Sequence, residues 1–143
     1  MNDAPSILEM MASFFAIDDY PFDRNVTNDN LLHFLSTPSL GRIWLIQQDD
    51  VIVGYIVLAF GFSFEYLGRD AFIDELFVKE EFRDKGIGTR AMSFVEQQAK
   101  LLQVKTIHLE VERHNVKGNR IYSNRQYTDN GRLLLTKRLT EKP

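Results

Sequence analysis

The residues best placed to do chemistry are Arg83-Asp84-Lys85-Gly86-Ile87-Gly88-Thr89-Arg90, which follow the apolar run Leu76-Phe77-Val78. The order reads as a strand, a charged turn, and a glycine-spaced loop entering a helix. Two glycines let a backbone approach a ligand closely and adopt positive φ. The first amides of the helix have no partner inside it and lie at its positive end. That arrangement suits a phosphate or pyrophosphate, and Arg83, Lys85 and Arg90 add charge matched to a polyanion. The same glycines could serve only to turn the chain. The third glycine of the dinucleotide pattern and the Gly-Lys-Ser/Thr of the nucleotide triphosphate loop are both missing. Just upstream stand two adjacent carboxylates, Asp74 and Glu75. Neighbouring strand residues point to opposite faces, so one of the two faces a cleft unless the strand bulges.

These residues need elements to hold them. Ser6-Ile7-Leu8-Glu9 has the pattern of a capping box, predicting a helix over 6–17. A second helix is expected to begin near Thr27–Asn30 and to stop at Pro38. Strands are expected over 42–48, 51–60 and 70–78, with Asp49-Asp50 as a tight turn and the second strand buried on both faces. Residues 61–68 extend that strand or form a loop. Ile87, Ala91, Phe94, Val95 and Leu102 share one helical face. Residues 106–111 alternate as a strand, and Asn115 can cap a short helix to about Arg125. Two last strands are expected, one starting at Tyr127 and one over 132–139. The whole is an α/β (α+β) chain, read as a single domain over 1–143.

Composition bounds the function. The chain has 143 residues, no cysteine and a formal net charge of -3. Disulfides, thiolate metal sites and cysteine nucleophiles are therefore excluded. No basic stripe suggests a nucleic-acid partner, and no apolar run is long enough to span a bilayer. No basic segment followed by an apolar stretch opens the chain, so no signal peptide is expected and the location expected is cytoplasmic. His33, His108 and His114 lack metal-ligand spacing, so no metal is expected. Glu65, Tyr66 and Asp70, with Asp74 and Glu75, make an acidic neighbourhood that would suit a cationic amine, or equally a charged surface loop.

Arg83-x-x-Gly86-x-Gly88 after Leu76-Phe77-Val78 resembles the acetyl-CoA signature of the GCN5-related N-acetyltransferases (GNAT). Asn115-x-x-Gly118-x-x-Ile121-Tyr122, followed by Gln126-Tyr127, resembles the family's later motif. There Gly118 stands for a frequent Ala, Gln126 for Gly and Tyr127 for Phe. The likeness covers about 42–139. It implies a mixed, mostly antiparallel sheet flanked by helices, with the usual first strand either missing or contributed differently, because this sequence starts directly with helices. It implies acetyl-CoA as co-substrate, bound by residues 76–78, 83–90, Asn115 and Tyr122. It also implies direct transfer of the acetyl group to an amine. Phe72-Ile73-Asp74-Glu75-Leu76-Phe77-Val78 is similar to the corresponding strand of polyamine acetyltransferases, which implies a small cationic acceptor deprotonated by Asp74 or Glu75. A backbone amide of strand 76–78 would hold the oxyanion, and Tyr122 would protonate the leaving thiolate. Acetylation of a protein lysine or N-terminus, or acyl-CoA binding without catalysis, are the alternatives. Many family members dimerise, so a homodimer is an expectation as well.

Overall fold

The computed structural model describes residues 3–140, in two compact units, Met1–Leu109 and Glu110–Pro143. The first unit opens with α1, Ala4–Ile17, and α2, Arg24–Ser36. The expected capping box at Ser6 and Glu9 does not form. Pro5 lies in the first turn, where its fixed φ and missing N–H cost nothing, so the helix starts earlier and Asp3 precedes it. Glu9 instead pairs with Arg24 at 2.8 Å, an exposed contact of little energetic weight. The second helix also begins ahead of its expected start, because the Asp23 carboxylate accepts from the Val26 amide at 3.0 Å. It ends two residues before Pro38.

Four strands follow: β1, Gly41–Gln48; β2, Val51–Ser63; β3, Gly68–Val78; and β4, Thr106–Leu109. They lie in the order β1-β2-β3-β4. The first two pairings are antiparallel and the third is parallel. Asp49 and Asp50, at φ +50° and +64°, make the tight turn between β1 and β2. Between β3 and β4 run a short 3-10 turn, Glu80–Phe82, and α3, Ile87–Leu101. Among the described residues no strand precedes α1.

The pairing register sorts side chains onto two faces. Tyr55, Val57 and Phe77 join Ile7, Leu8, Met10, Met11 and Leu31 in one core beneath α1 and α2. Alternation then puts Ile56, Leu58 and Ile73 on the opposite face, where α3 packs with Ile87, Met92 and Val95 buried. Each fully buried aliphatic residue of this kind stabilises the fold by roughly 1.5–3 kcal/mol.

One irregularity interrupts the β2/β3 ladder. Val57 pairs with Glu75, but Leu58 pairs with Ile73. Asp74 is the extra residue of a β-bulge.

In the second unit Asn115 caps α4, Val116–Asn124, accepting from the Gly118 amide at 2.9 Å. The strands expected from Tyr127 and over 132–139 are not formed. Gln126 sits at φ +71°, and the side chains of Asp129 and Asn130 accept from the amides of Gly131 and Arg132, so local turns replace a ladder. Leu133, Leu134 and Leu135 are consecutive rather than alternating, and all three are largely exposed. Residues that favour β structure make a strand only where another strand takes up their backbone groups.

Candidate active site

The bulge decides how the two carboxylates are presented. Glu75 lies opposite Val57, on the face carrying Tyr55 and Phe77. Asp74, as the extra residue, escapes strict alternation and sits close enough to raise the titration of both Glu75 and Tyr55 through its charge. The expectation that only one of the pair could face a cleft held for a regular strand, and this strand is not regular.

Glu75 accepts a 2.7 Å hydrogen bond from the Tyr55 hydroxyl. Tyr55 is fully buried on β2, so its phenol needs a partner inside the protein. Burial pushes the Glu75 carboxyl up to about 7, the Tyr55 hydrogen bond opposes that rise, and the Asp74 charge adds to it. Burial and the Glu75 charge hold the Tyr55 phenol far above its ordinary value, so it acts as a fixed donor. Asp74 is exposed overall, yet desolvation of its carboxyl still moves it upward. A carboxyl that titrates near neutrality can accept a proton at physiological pH and release it again.

The open edge beside these groups follows from the ladders. The β3/β4 pairing covers Asp70 to Ile73 and stops there. The Lys79 amide donates to the Val53 carbonyl on β2 at 2.7 Å. Backbone groups alternate, so those of Phe77 and Lys79 turn toward β2 and those of Leu76 and Val78 turn the other way. The Val78 carbonyl accordingly accepts from Arg83 Nε at 2.7 Å. The N–H groups of Leu76 and Val78 face the side where β4 has ended.

The glycine loop is built as a helix N-terminus. Asp84 and Gly86 both take positive φ, +63° and +77°, and Gly86 caps α3. The first helical bond runs from the Arg90 amide to the Gly86 carbonyl at 3.1 Å. The amides of Ile87, Gly88 and Thr89 lie ahead of it, at the positive end of the helix. A Cβ added at Gly88 would meet nothing within 4 Å, so open space lies over that amide. Thr89 and Arg90 are exposed in the same turn, whereas Ile87 is buried and anchors it. Lys85 lies over the Phe82 ring, and the Arg83 guanidinium lies over Phe77. Backbone N–H groups, open space and flanking cations fit a pyrophosphate.

A cleft of about 610 Å³ on the α1 side is lined by Met10, Ser13, Phe77, Lys79 and Arg83. It reaches β3 at Phe77, two residues beyond Glu75 on the same face. Sequence reasoning missed Tyr55. A phenol inside an uninterrupted apolar strand was the available signal, since it must meet a polar partner. In the second unit, Tyr122 packs edge-on against Tyr127 with ring centroids 6.1 Å apart, and burial raises its phenol. Asn115 is occupied as the cap of α4. Among the described residues no group of three or more acidic or histidine side chains is placed to hold a metal. No helix among them is long and apolar enough to cross a membrane.

The sequence model of the acetyltransferase (GNAT) family matches residues 6–126. No curated protein sequence matches the chain. An integron cassette protein from the mobile metagenome of Cole Harbour Salt Marsh is 33% identical, with 99% of this chain and 88% of that one covered and a TM-score of 0.88. A predicted acetyltransferase from Clostridium acetobutylicum, solved with acetyl-CoA, is 15% identical, with coverage of 95% and 90% and a TM-score of 0.80. An aminoglycoside acetyltransferase from an uncultured soil metagenomic sample, in complex with sisomicin, is 14% identical, with coverage of 98% and 91% and a TM-score of 0.76. The last two likenesses concern the fold.

Proposed function

Because this chain belongs to the acetyltransferase (GNAT) family, whose enzymes use acetyl-CoA, we propose that it transfers the acetyl group to an amine with Glu75 as the general base. The observation that carries this reading is the 2.7 Å bond from buried Tyr55 to a carboxyl that titrates at about 7. An alkylammonium has a pKa near 10 and cannot attack until it loses a proton. Glu75 takes that proton, directly or through one water. The amine nitrogen then bonds to the thioester carbonyl carbon. Negative charge develops on the carbonyl oxygen, and the N–H groups of Leu76 and Val78 are the donors offered to it. Fixed donors of this kind are worth roughly 3–4 kcal/mol each in acyl transfer. The carbon–sulfur bond breaks as the intermediate collapses, the electron pair leaves on sulfur, and the nitrogen, cationic since it bonded to carbon, releases its surplus proton to water to leave a neutral amide.

Tyr122 is the proposed donor to that thiolate. Its raised phenol is protonated at neutral pH, as a general acid must be. The amides of 87–89, with Arg90, Lys85 and Arg83, would hold the pyrophosphate of the co-substrate. Gly86 and Gly88 would let the backbone approach it, and Asn115 would meet the pantetheine arm. The acceptor we assign is a small-molecule amine.

The test is thiol release from acetyl-CoA across a panel of amines. The chain has no cysteine, so the protein contributes no thiol background. Release that depends on the amine is the expected result. Hydrolysis at the same rate with and without amine, or no release, would overturn the assignment.

A further inference from the structure

The face of the sheet that carries Glu75 continues along β3, away from α1 and α2. Ala59 pairs with Phe72 and Gly61 with Asp70, so Phe72 and Asp70 share the face of Val57 and Glu75. On β4, His108 pairs with Phe72 and stands on the same face. The four residues Tyr66, Asp70, Phe72 and His108 form one cluster. The His108 ring packs against Tyr66 with centroids 4.8 Å apart and against Phe72 at 5.0 Å. His108 Nε2 lies 3.1 Å from Asp70 Oδ2.

Asp70 is thereby withdrawn from the surface. Its side chain is 13% exposed, beneath that of His108 at 21%. Behind it stands Gly61, where a Cβ would come within 2.7 Å of the carboxylate, so a larger residue there would push the acid aside. A second ammonium group would have to displace the imidazole to reach this acid. Phe72, in contrast, remains 40% exposed. The face therefore offers one anionic point, at Asp74 and Glu75, followed by a shelf of aromatic rings.

We propose that this shelf is the acceptor subsite, and that it takes a monoamine whose short chain ends in an aromatic ring in preference to a polyamine or other polycation. The inference rests on the acetyltransferase reading above, with the reacting nitrogen at Glu75. Glu75 lies three positions beyond Phe72, about 10 Å at ~3.3 Å per residue and less across a bulge. A ring on a chain of roughly three to five carbons spans that interval. Covering the shelf with a ring removes apolar surface from water and adds a ring–ring contact, which outweighs one exposed cation–π contact from a second ammonium.

The experiment compares 4-phenylbutylamine, butylamine and spermidine at saturating acetyl-CoA, reading kcat/KM from thiol release. We expect 4-phenylbutylamine to exceed butylamine by about tenfold, with spermidine no better than butylamine. In Phe72→Ala and Tyr66→Ala the ratio of 4-phenylbutylamine to butylamine falls about tenfold, whatever each variant does to overall activity. Phe72→Tyr keeps the ratio. Spermidine as the best acceptor, or a ratio that ignores Phe72→Ala, overturns the inference while the transferase reading stands. Absence of turnover with all three amines overturns both.

Discussion

Tyr55→Phe isolates what the buried phenol does for Glu75. The two side chains have nearly the same shape, and Tyr55 is fully buried, so packing is kept while one 2.7 Å donor is lost. That donor favours the ionised carboxylate and opposes the rise that burial imposes. A hydrogen bond to a charged group contributes about 1.5–3 kcal/mol, which corresponds to about one to two pH units in the midpoint of a titration. The rising limb of the rate profile should therefore move from about 7 in the parent to roughly 8–9 in the variant. At pH 7 half of the parent carboxyl is ionised, against roughly 1–10% in the variant, so turnover should fall between five- and fiftyfold, by about these proportions. Well above the shifted limb the two should converge. The assay is kcat/KM for the amine from pH 5.5 to 9.5 by thiol release. A falling limb from the acceptor's own ammonium is common to both proteins and cancels in their ratio. A variant whose activity drops by one factor at every pH, with the limb unmoved, would refute the reasoning. Tyr55 would then act by shape alone, or another group would be the base.

Glu75→Gln should abolish the rising limb and also change stability with a definite sign. The folded carboxyl titrates at about 7 against 4.5 when unperturbed, so the native state binds the extra proton and loses stability as pH rises through that window. The full difference is about 3 kcal/mol. The advantage of Glu75→Gln in thermal melts should therefore grow from pH 4.5 to 7 and then level; a constant offset would contradict it. Gly88→Ala places a methyl group in open space inside a helix, so stability should hold or rise by roughly 0.5–1 kcal/mol. Calorimetric acetyl-CoA affinity should nonetheless fall at least tenfold if the co-substrate crosses that amide, and unchanged affinity would remove Gly88 from the site. Tyr122→Phe should lower turnover by about tenfold or more with little change in acetyl-CoA affinity, as loss of an acid predicts. Equal turnover would free Tyr122 from that role.

The parts of this site legible in the sequence are those that a local rule determines. Gly86 must adopt a conformation few residues tolerate, and the order strand, turn, glycine and helix follows from residues within 15 positions of it. Asn115 caps its helix through its own side chain, and Asp49-Asp50 turns the chain for reasons local to that pair. What stayed hidden depends on pairing across the fold. The likeness to polyamine acetyltransferases directed attention to Asp74 and Glu75, but the bulge that frees Asp74 from alternation is set by how β2 and β3 register. Tyr55 looks like one more member of an apolar run, and its partner lies 20 residues away. The strands expected beyond Tyr127 failed in the opposite sense. Their residues favour β structure, yet Asp129, Asn130 and Gly131 satisfy the backbone by local turns first.

The bulge and the end of the β3/β4 ladder fall at the same step of β3, between Ile73 and Glu75, and that coincidence has a mechanical basis. An extra residue sharpens the twist of its strand, which turns the following residues away from the neighbour on that side. β4 pairs with β3 as far as Ile73 and no farther. Features that catalysis would need together thus meet around this one inserted residue. It brings the Asp74 charge close to Glu75, adding to the rise that burial imposes on the carboxyl. Glu75 stays on the face of Tyr55, whose hydrogen bond limits that rise. The β3/β4 ladder has ended where the Leu76 and Val78 amides turn outward. In a regular β3 Glu75 would keep the Tyr55 face, whereas Asp74 would lie on the α3 face. The reactive geometry therefore rests on a departure from strand periodicity, while the aromatic shelf over Asp70 occupies the regular part of the same strand.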